Sequence, residues 1–563
     1  MSSDSIIRQT RKWTGAGRPD CVAERGMIAS KHPLIGEAGL KMIRKGGNAV
    51  DSAIAAAFMD CVVEPASNGI GGEGVMIIHL SSGENVVVDY VGRPAKSCTP
   101  DMFELEGDAE PGWMGWSNVR GDANVVGHKA SSTPGTVAGL AKALELYGTL
   151  SLGEALAPAI SVAEEGFVVG WGTASAIFQG MRLFSKFPGW RHLYLHDERW
   201  PYKPYSTALA NPELLINKDL AESLHAIAND GPEAFYEGWI AEKIVEEMEQ
   251  GGGLITMEDL AMYEPIVLEP EPGSYRGYEV VYDPTHSGTT MFQILKILEG
   301  YDIGGLGFGT PETVHLMSEA MGLAFADRFE YMGDPGWVKV PQRGMTSAEY
   351  AAELRKRIKM NVAGTISPGD PWPYEPENTT ALAVGDGDGN MVSINQTLVN
   401  SFGSGVVVPG TGIVMNNAMY GLNPFPGTAN SIDGRKRRVQ NVCPTLVLKD
   451  GEPFMVLGAP GGRAIQMSIT QVVSHVIDHG MGIQEAIEAP RIFRETSTVY
   501  ADSRFPVGVK QGLEARGHDL VWVEQELQSW ARPVGVLRDP GTGLLHGGVQ
   551  CHLTGFESIA MGL

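Results

Sequence analysis

Glu377-Asn378-Thr379-Thr380-Ala381-Leu382, continued as far as Gly405, reads as two strands of alternating apolar residues, 380–384 and 390–398. Gly385-Asp386-Gly387-Asp388-Gly389 joins them, and such a glycine-aspartate run between alternating segments predicts a β-hairpin. Folding the hairpin about its centre would bring Thr379 within a residue or two of Gln396 and Thr397. A threonine hydroxyl becomes a nucleophile only when a base lies near its oxygen, and the stretch holds no histidine. A freed α-amine can be that base, which would require the chain to be cut before Thr379.

Working outward, the 563 residues carry 43% hydrophobic and 20% charged side chains, an ordinary globular composition with ample core material. The formal net charge of -24 argues against nucleic acid and anionic membrane as partners, since both would be repelled. Cys21, Cys61, Cys98, Cys443 and Cys551 show no CxxC spacing and read as reduced thiols rather than as a disulfide framework or a zinc site. Residues 1–25 are polar, with no apolar core of signal-peptide length, so a cytoplasmic protein is expected. No run approaches the roughly 20 apolar residues that span a bilayer.

Helical patterns are predicted from Pro33 to Ile43, over 49–63, from Thr136 to about Tyr147, and over 151–165, 213–229, 233–250 and 311–329. Strands are predicted at 75–80, 85–90 and 277–282. The loop from Glu64 to Gly74 is glycine-rich but lacks the Lys-Ser/Thr of a phosphate cradle. Pro284-Thr285-His286-Ser287 reads as a helix-start turn, and 363–378 as an exposed linker where a cut is tolerable. Asp386 and Asp388 begin like a calcium loop, but the twelfth position is Thr397, so no metal and no cofactor is expected.

The runs NTTALAVGDGDGNMVSINQTLVNSFGSG, PGTGIVMNNAMYG, CPTLVL and GAPGGRAI resemble the small-subunit motifs of the γ-glutamyltranspeptidase superfamily of N-terminal nucleophile hydrolases. GGNAVDSAIAAAF, VVEPASNGIGGEG and STPGTVAGL resemble its large-subunit motifs, and the likeness runs from about Gly26 to Arg491. It implies an α+β fold, the four-layer αββα sandwich. It also implies a proenzyme that cleaves itself between Asn378 and Thr379 into fragments 1–378 and 379–563, which stay together as a heterodimer. Thr379 would be nucleophile and, through its amine, base; Thr397 would orient it; Gly461 and Gly462 would supply oxyanion-hole N–H groups. Thr397 otherwise reads as half of a cross-strand threonine pair.

Arg93 lies where the family grips a substrate carboxylate, against which stands a structural salt bridge. Asn416-Asn417 matches a family pair near the site, with either a structural or a pocket role. Three positions that hold the substrate ammonium in γ-glutamyl enzymes are here Val399, Ala418 and Gly421, and a serine pair is replaced by Gln440-Asn441. Burying an ammonium without partners is costly, so a glutamyl head group fits poorly. The connection from Gly421 to Asn441 is short, arguing for an open site. These departures resemble the cephalosporin-acylase-like and small-amidohydrolase members. The expected substrate is a small-molecule amide whose acyl group lacks an α-amine and carries, in one version, a carboxylate held by Arg93. The alternatives are a glutathione hydrolase or transferase with an altered pocket, and a non-catalytic binding descendant that never matures.

Overall fold

The computed structural model describes residues 19–106, 116, 118–204, 212–374, 389–523, 531–550 and 558–563. Two sheets carry the fold. Their strands, in chain order, are β1 (Cys21–Ala23), β2 (Glu73–His79), β3 (Asn85–Tyr90), β4 (Ile266–Leu268), β5 (Glu271–Tyr275) and β6 (Tyr278–Tyr282), followed by β7 (Met391–Thr397), β8 (Thr445–Lys449), β9 (Glu452–Gly458), β10 (Val534–Arg538) and β11 (Leu545–Val549). The smaller sheet has the order β7-β2-β3-β4 and the larger β1-β11-β10-β9-β8-β6-β5, antiparallel at every pairing.

Strand alternation sends successive side chains to opposite faces. On β2, Val75 and Ile77 join Val281, Leu446, Leu448 and Val456 in one apolar cluster between the sheets. Met76 and Ile78 face the other way, into a cluster built with α1 (Pro33–Arg44), α2 (Ala49–Val63), α3 (Thr136–Tyr147) and α4 (Leu152–Glu165). The outward residues of the larger sheet, among them Val280, Met455 and Leu457, pack with α5 (Ser287–Leu298) and α6 (Ala464–Ile477).

Helix α2 shows how sequence sets position. Its small residues bury nearly all round, and Asn48 and Asp51 form a reciprocal capping box at its start. The fully buried Asp51 carboxylate also accepts from Thr149 N and Leu150 N, both at 2.8 Å, which fixes α2 against the start of α4. Gln396 of β7 reaches back to donate to Ala57 O of α2 at 2.8 Å. The edge strand of the smaller sheet is thereby pinned to the helix beneath it.

The predicted strands at 75–80, 85–90 and 277–282, and the helices at 49–63, 136–147, 151–165 and 311–329, form within two residues of their expected ends. Two helices differ. Over 213–229 a short strand, Leu214–Leu215, comes first, and the helix Lys218–Asp230 starts only after Asn217, whose side chain accepts from Leu220 N and donates to Gly412 O. The 233–250 helix is broken at Gly238, whose extended backbone separates Glu233–Tyr236 from Trp239–Gly251. The second strand of the expected hairpin forms as β7 and pairs with β2, while 380–384 lies outside the described residues. Cys61, Cys98 and Cys443 are buried free thiols and Cys21 is half-buried. Among the described residues no helix is long and apolar enough to cross a membrane.

Candidate active site

Asn378 and Thr379 lie outside the described residues, so the site is built from what surrounds β7. Thr397 ends that strand, and its Oγ1 accepts from Val399 N at 2.8 Å, turning the chain sharply. Val399 sits at φ +85°, a left-handed conformation that is an outlier for a β-branched residue. Asn417 closes the turn from below: its Oδ1 accepts from Asn400 N (3.0 Å) and its Nδ2 donates to Val125 O (2.9 Å). Asn416 is likewise occupied by Ser132, Ala418 and Gly71. Both asparagines are fully buried and have protein partners at both ends of their amides, an arrangement that holds backbone in place.

Gly461 and Gly462 occupy the turn before α6, at φ +141° and +58°. A Cβ on Gly461 would sit 2.3 Å from Ala531 Cα, so this position requires glycine. The turn's N–H groups stand at the positive end of a 14-residue helix, where developing negative charge is stabilised. Asn395, two residues before Thr397, donates to Ala459 O at 2.6 Å and Ser393 to Leu457 O at 2.8 Å. These bonds bring the strand that ends in Thr397 and the Gly461-Gly462 turn into one assembly.

Arg93 follows β3. Its Nη2 donates to Glu264 O at 3.2 Å, and its guanidinium lies 5.8 Å from the centre of the Tyr263 ring. The preceding Gly92 N donates to Glu73 Oε2 at 2.7 Å. Gln440 donates from Nε2 to Glu73 Oε1 at 2.6 Å and accepts Asn441 N at 2.8 Å, so its amide too is engaged by protein. Asn441 Oδ1 accepts from Arg328 Nη2 at 3.1 Å.

Sequence reasoning missed the buried charges behind these residues. Glu73 and Arg438, 0% and 1% exposed, form an ion pair in which Arg438 Nε donates at 2.8 Å and Nη2 also donates. Arg437 joins Asp89 and Asp334, and His286, at the predicted helix start, lies 3.2 Å from Asp89 through Nε2 while its Nδ1 accepts Gln440 N. The available signal was the carboxylates Glu73 and Asp89 inside otherwise apolar strands, facing the basic run Arg435-Lys436-Arg437-Arg438. Burial, then the neighbouring Arg463, pushes the Arg328 pKa down to about 9.

Among the described residues, one cluster has metal-ligand types, His315, Glu319 and His518, all buried. The two imidazoles bond to each other at 2.7 Å, and Glu319 is taken by Arg494 Nη1 at 2.6 Å and Gly364 N at 2.9 Å, so the donors are already engaged by protein.

The strand that ends in Thr397 is thus tied, through Asn395, to the segment that leads into the Gly461-Gly462 turn at a helix N-terminus. Residues 36–550 match the family model described as Gamma-glutamyltranspeptidase. The Acylase ACY 1 proenzyme of Pseudomonas sp. (strain SE83) is 40% identical over 499 residues, covering 88% of this chain and 87% of that protein. The glutathione hydrolase proenzyme of Escherichia coli (strain K12) is 35% identical over 519 residues, with 89% and 87% covered. The crystal structure of cephalosporin acylase from Bacillus halodurans superposes with a TM-score of 0.86 at 32% identity, covering 98% of both chains. The chain belongs to the γ-glutamyltranspeptidase family, and it is an enzyme of the amide-cleaving kind that family comprises.

Proposed function

We propose that the chain is a self-processing amide hydrolase of acylase character, whose nucleophile is Thr379 after cleavage at Asn378–Thr379. Fragments 1–378 and 379–563 would then remain associated in a four-layer αββα sandwich, a reading supported by the helix, sheet, sheet, helix sequence of the apolar clusters. The observation that carries the reading is the Asn395–Ala459 bond, which yokes the Thr397 strand to the Gly461-Gly462 turn.

The freed α-amine has a reference pKa near ~8, so a substantial neutral fraction takes the hydroxyl proton at physiological pH. Thr379 Oγ1 attacks the amide carbonyl, Thr397 orients it, and the turn N–H groups receive the oxyanion; each such donor contributes about 3 kcal/mol to the transition state. The amine then returns the proton to the leaving nitrogen, and water releases the acyl group by the same route in reverse. Val399, Ala418 and Gly421 offer no side-chain acceptor to an α-ammonium, which favours a substrate lacking one.

Parallel assays with glutaryl and γ-glutamyl p-nitroanilide, which differ only in that ammonium, test the substrate reading. Faster turnover of the glutaryl compound is expected. Equal or faster turnover of the γ-glutamyl compound would instead establish the second reading, a glutathione hydrolase, to which the Escherichia coli relative points.

A further inference from the structure

Trp171 and Phe178, two turns apart on the helix Trp171–Phe184, leave 62% and 68% of their surfaces in solvent. The face this helix buries is the opposite one, made by Ala174, Ile177, Gly180 and Phe184. Trp200, on a short hairpin that packs against the helix, is again 68% exposed. Three aromatic side chains held out in this way offer about 450 Å2, more than half of the ~800 Å2 that each partner buries in a stable complex. Apolar surface gathered on that scale marks a place where another molecule docks.

The charge around the patch narrows the choice of molecule. The chain carries a net charge of -24, yet residues 171–204 hold five Lys and Arg against two acidic residues. Arg182 continues the helix face of Trp171 and Phe178, and Arg182, Lys186 and Arg199 are exposed and take part in no ion pair among the described residues. Two such patches would repel one another face to face, whereas acidic surface would be drawn to either. Acidic surface lies alongside. The helix Trp239–Gly251 exposes Glu242, Glu246 and Glu249, with Trp239 at its start 38% exposed.

The basic and the acidic patch are neighbours. His128 Nε2 lies 2.7 Å from Glu247 Oε1 of the acidic helix, and the same imidazole meets the Phe187 ring edge-on at 6.1 Å. The helices Pro188–Tyr194 and Trp239–Gly251 both border the strand Val407–Val408. Adjacent patches of opposite sign suit a twofold axis passing between them, because the rotation sets basic on acidic and acidic on basic in one closed interface.

We propose that the chain forms a twofold dimer, in which the face of Trp171, Phe178, Arg182 and Trp200 seats on the acidic helix Trp239–Gly251 of a second copy, and the reverse. The contact buries the aromatic rings, and the paired charges fix its register. It owes nothing to the reaction, so it stands or falls independently of the amide-hydrolase reading.

Sedimentation velocity of the full chain tests it, with circular dichroism as the check that each variant is folded. The unsubstituted protein sediments as a species of about twice 60.4 kDa that dissociates on dilution. Phe178→Ser with Trp200→Ser weakens the dimer by at least about 100-fold in Kd. Arg182→Glu with Lys186→Glu, and separately Glu242→Lys with Glu246→Lys, each weaken it about tenfold or more, and the four charge reversals together recover most of that loss. A monomer at every concentration, an undiminished dimer in the Phe178/Trp200 variant, or no recovery on combining the reversals overturns the proposal. So does binding of the monomer to phosphatidylglycerol vesicles that is lost in the Phe178/Trp200 variant, which would give the patch to a membrane.

Discussion

Glu73 and Thr397 face one another across the antiparallel ladder of β2 and β7, so the residue that orients Arg438 and the residue proposed to orient the nucleophile share one rung of one sheet. The buried Glu73–Arg438 ion pair and the end of the Thr397 strand are therefore coupled by backbone hydrogen bonds. Displacing either strand disturbs both.

Thr397→Ala removes the hydroxyl that accepts from Val399 N. Loss of one orienting hydrogen bond in an activated-nucleophile site costs about 10- to 100-fold, so both self-cleavage and turnover slow by that factor. Denaturing gels over time read the first and anilide release the second. Dividing 60.4 kDa in the ratio 378 to 185 residues gives products of roughly 40 and 20 kDa. Unchanged rates would reduce Thr397 to a turn-former.

Gly461→Ala introduces a Cβ into the backbone of Ala531 at a φ of +141°. Turnover falls at least about 100-fold as the oxyanion donors shift, and stability falls by about 2 kcal/mol or more. Single-turnover kinetics and urea unfolding measure the two separately. Normal values in both would remove this turn from the site.

Val399→Asn relieves a β-branched residue at φ +85°, because asparagine tolerates the left-handed region. The variant gains about 1 kcal/mol in urea unfolding. A loss of stability would show that Val399 packing outweighs the strain.

Asp60 lies beneath Gln396, bonded to Asn68 Nδ2 at 2.8 Å, and burial pushes its pKa up to about 6 from 3.8. The folded state therefore holds this proton more tightly than the unfolded chain does, and stability declines as pH rises from about 4 through 6. Asp60→Asn removes the decline, leaving the variant about 1–3 kcal/mol more stable at pH 7.5 and nearly equal at pH 4. Unfolding at the two pH values checks it; equal differences at both would show that Asp60 is ionised in the folded protein throughout.

The sequence made the frame legible where local signals agreed with tertiary packing. Apolar runs marked Glu73–His79 and Asn85–Tyr90, and small residues marked Ala49–Val63, because each element is buried nearly all round and its composition says so. The helix expected over 213–229 failed at Asn217, whose cap also answers to Gly412, almost 200 residues away. The buried charge network was the least legible part. A run such as Arg435-Lys436-Arg437-Arg438 ordinarily reads as solvated, and only the fold reveals that Glu73, Asp89 and Asp334 take its last two members into the interior. Likewise Gln440 read as a substrate donor, whereas its amide is already bound to Glu73 and to Asn441 N.

Intact mass and N-terminal sequencing of an active preparation test the central claim most directly. The account predicts a small fragment that begins at Thr379, with activity rising in step with its appearance. Activity in a preparation whose backbone is unbroken between Asn378 and Thr379 would contradict it.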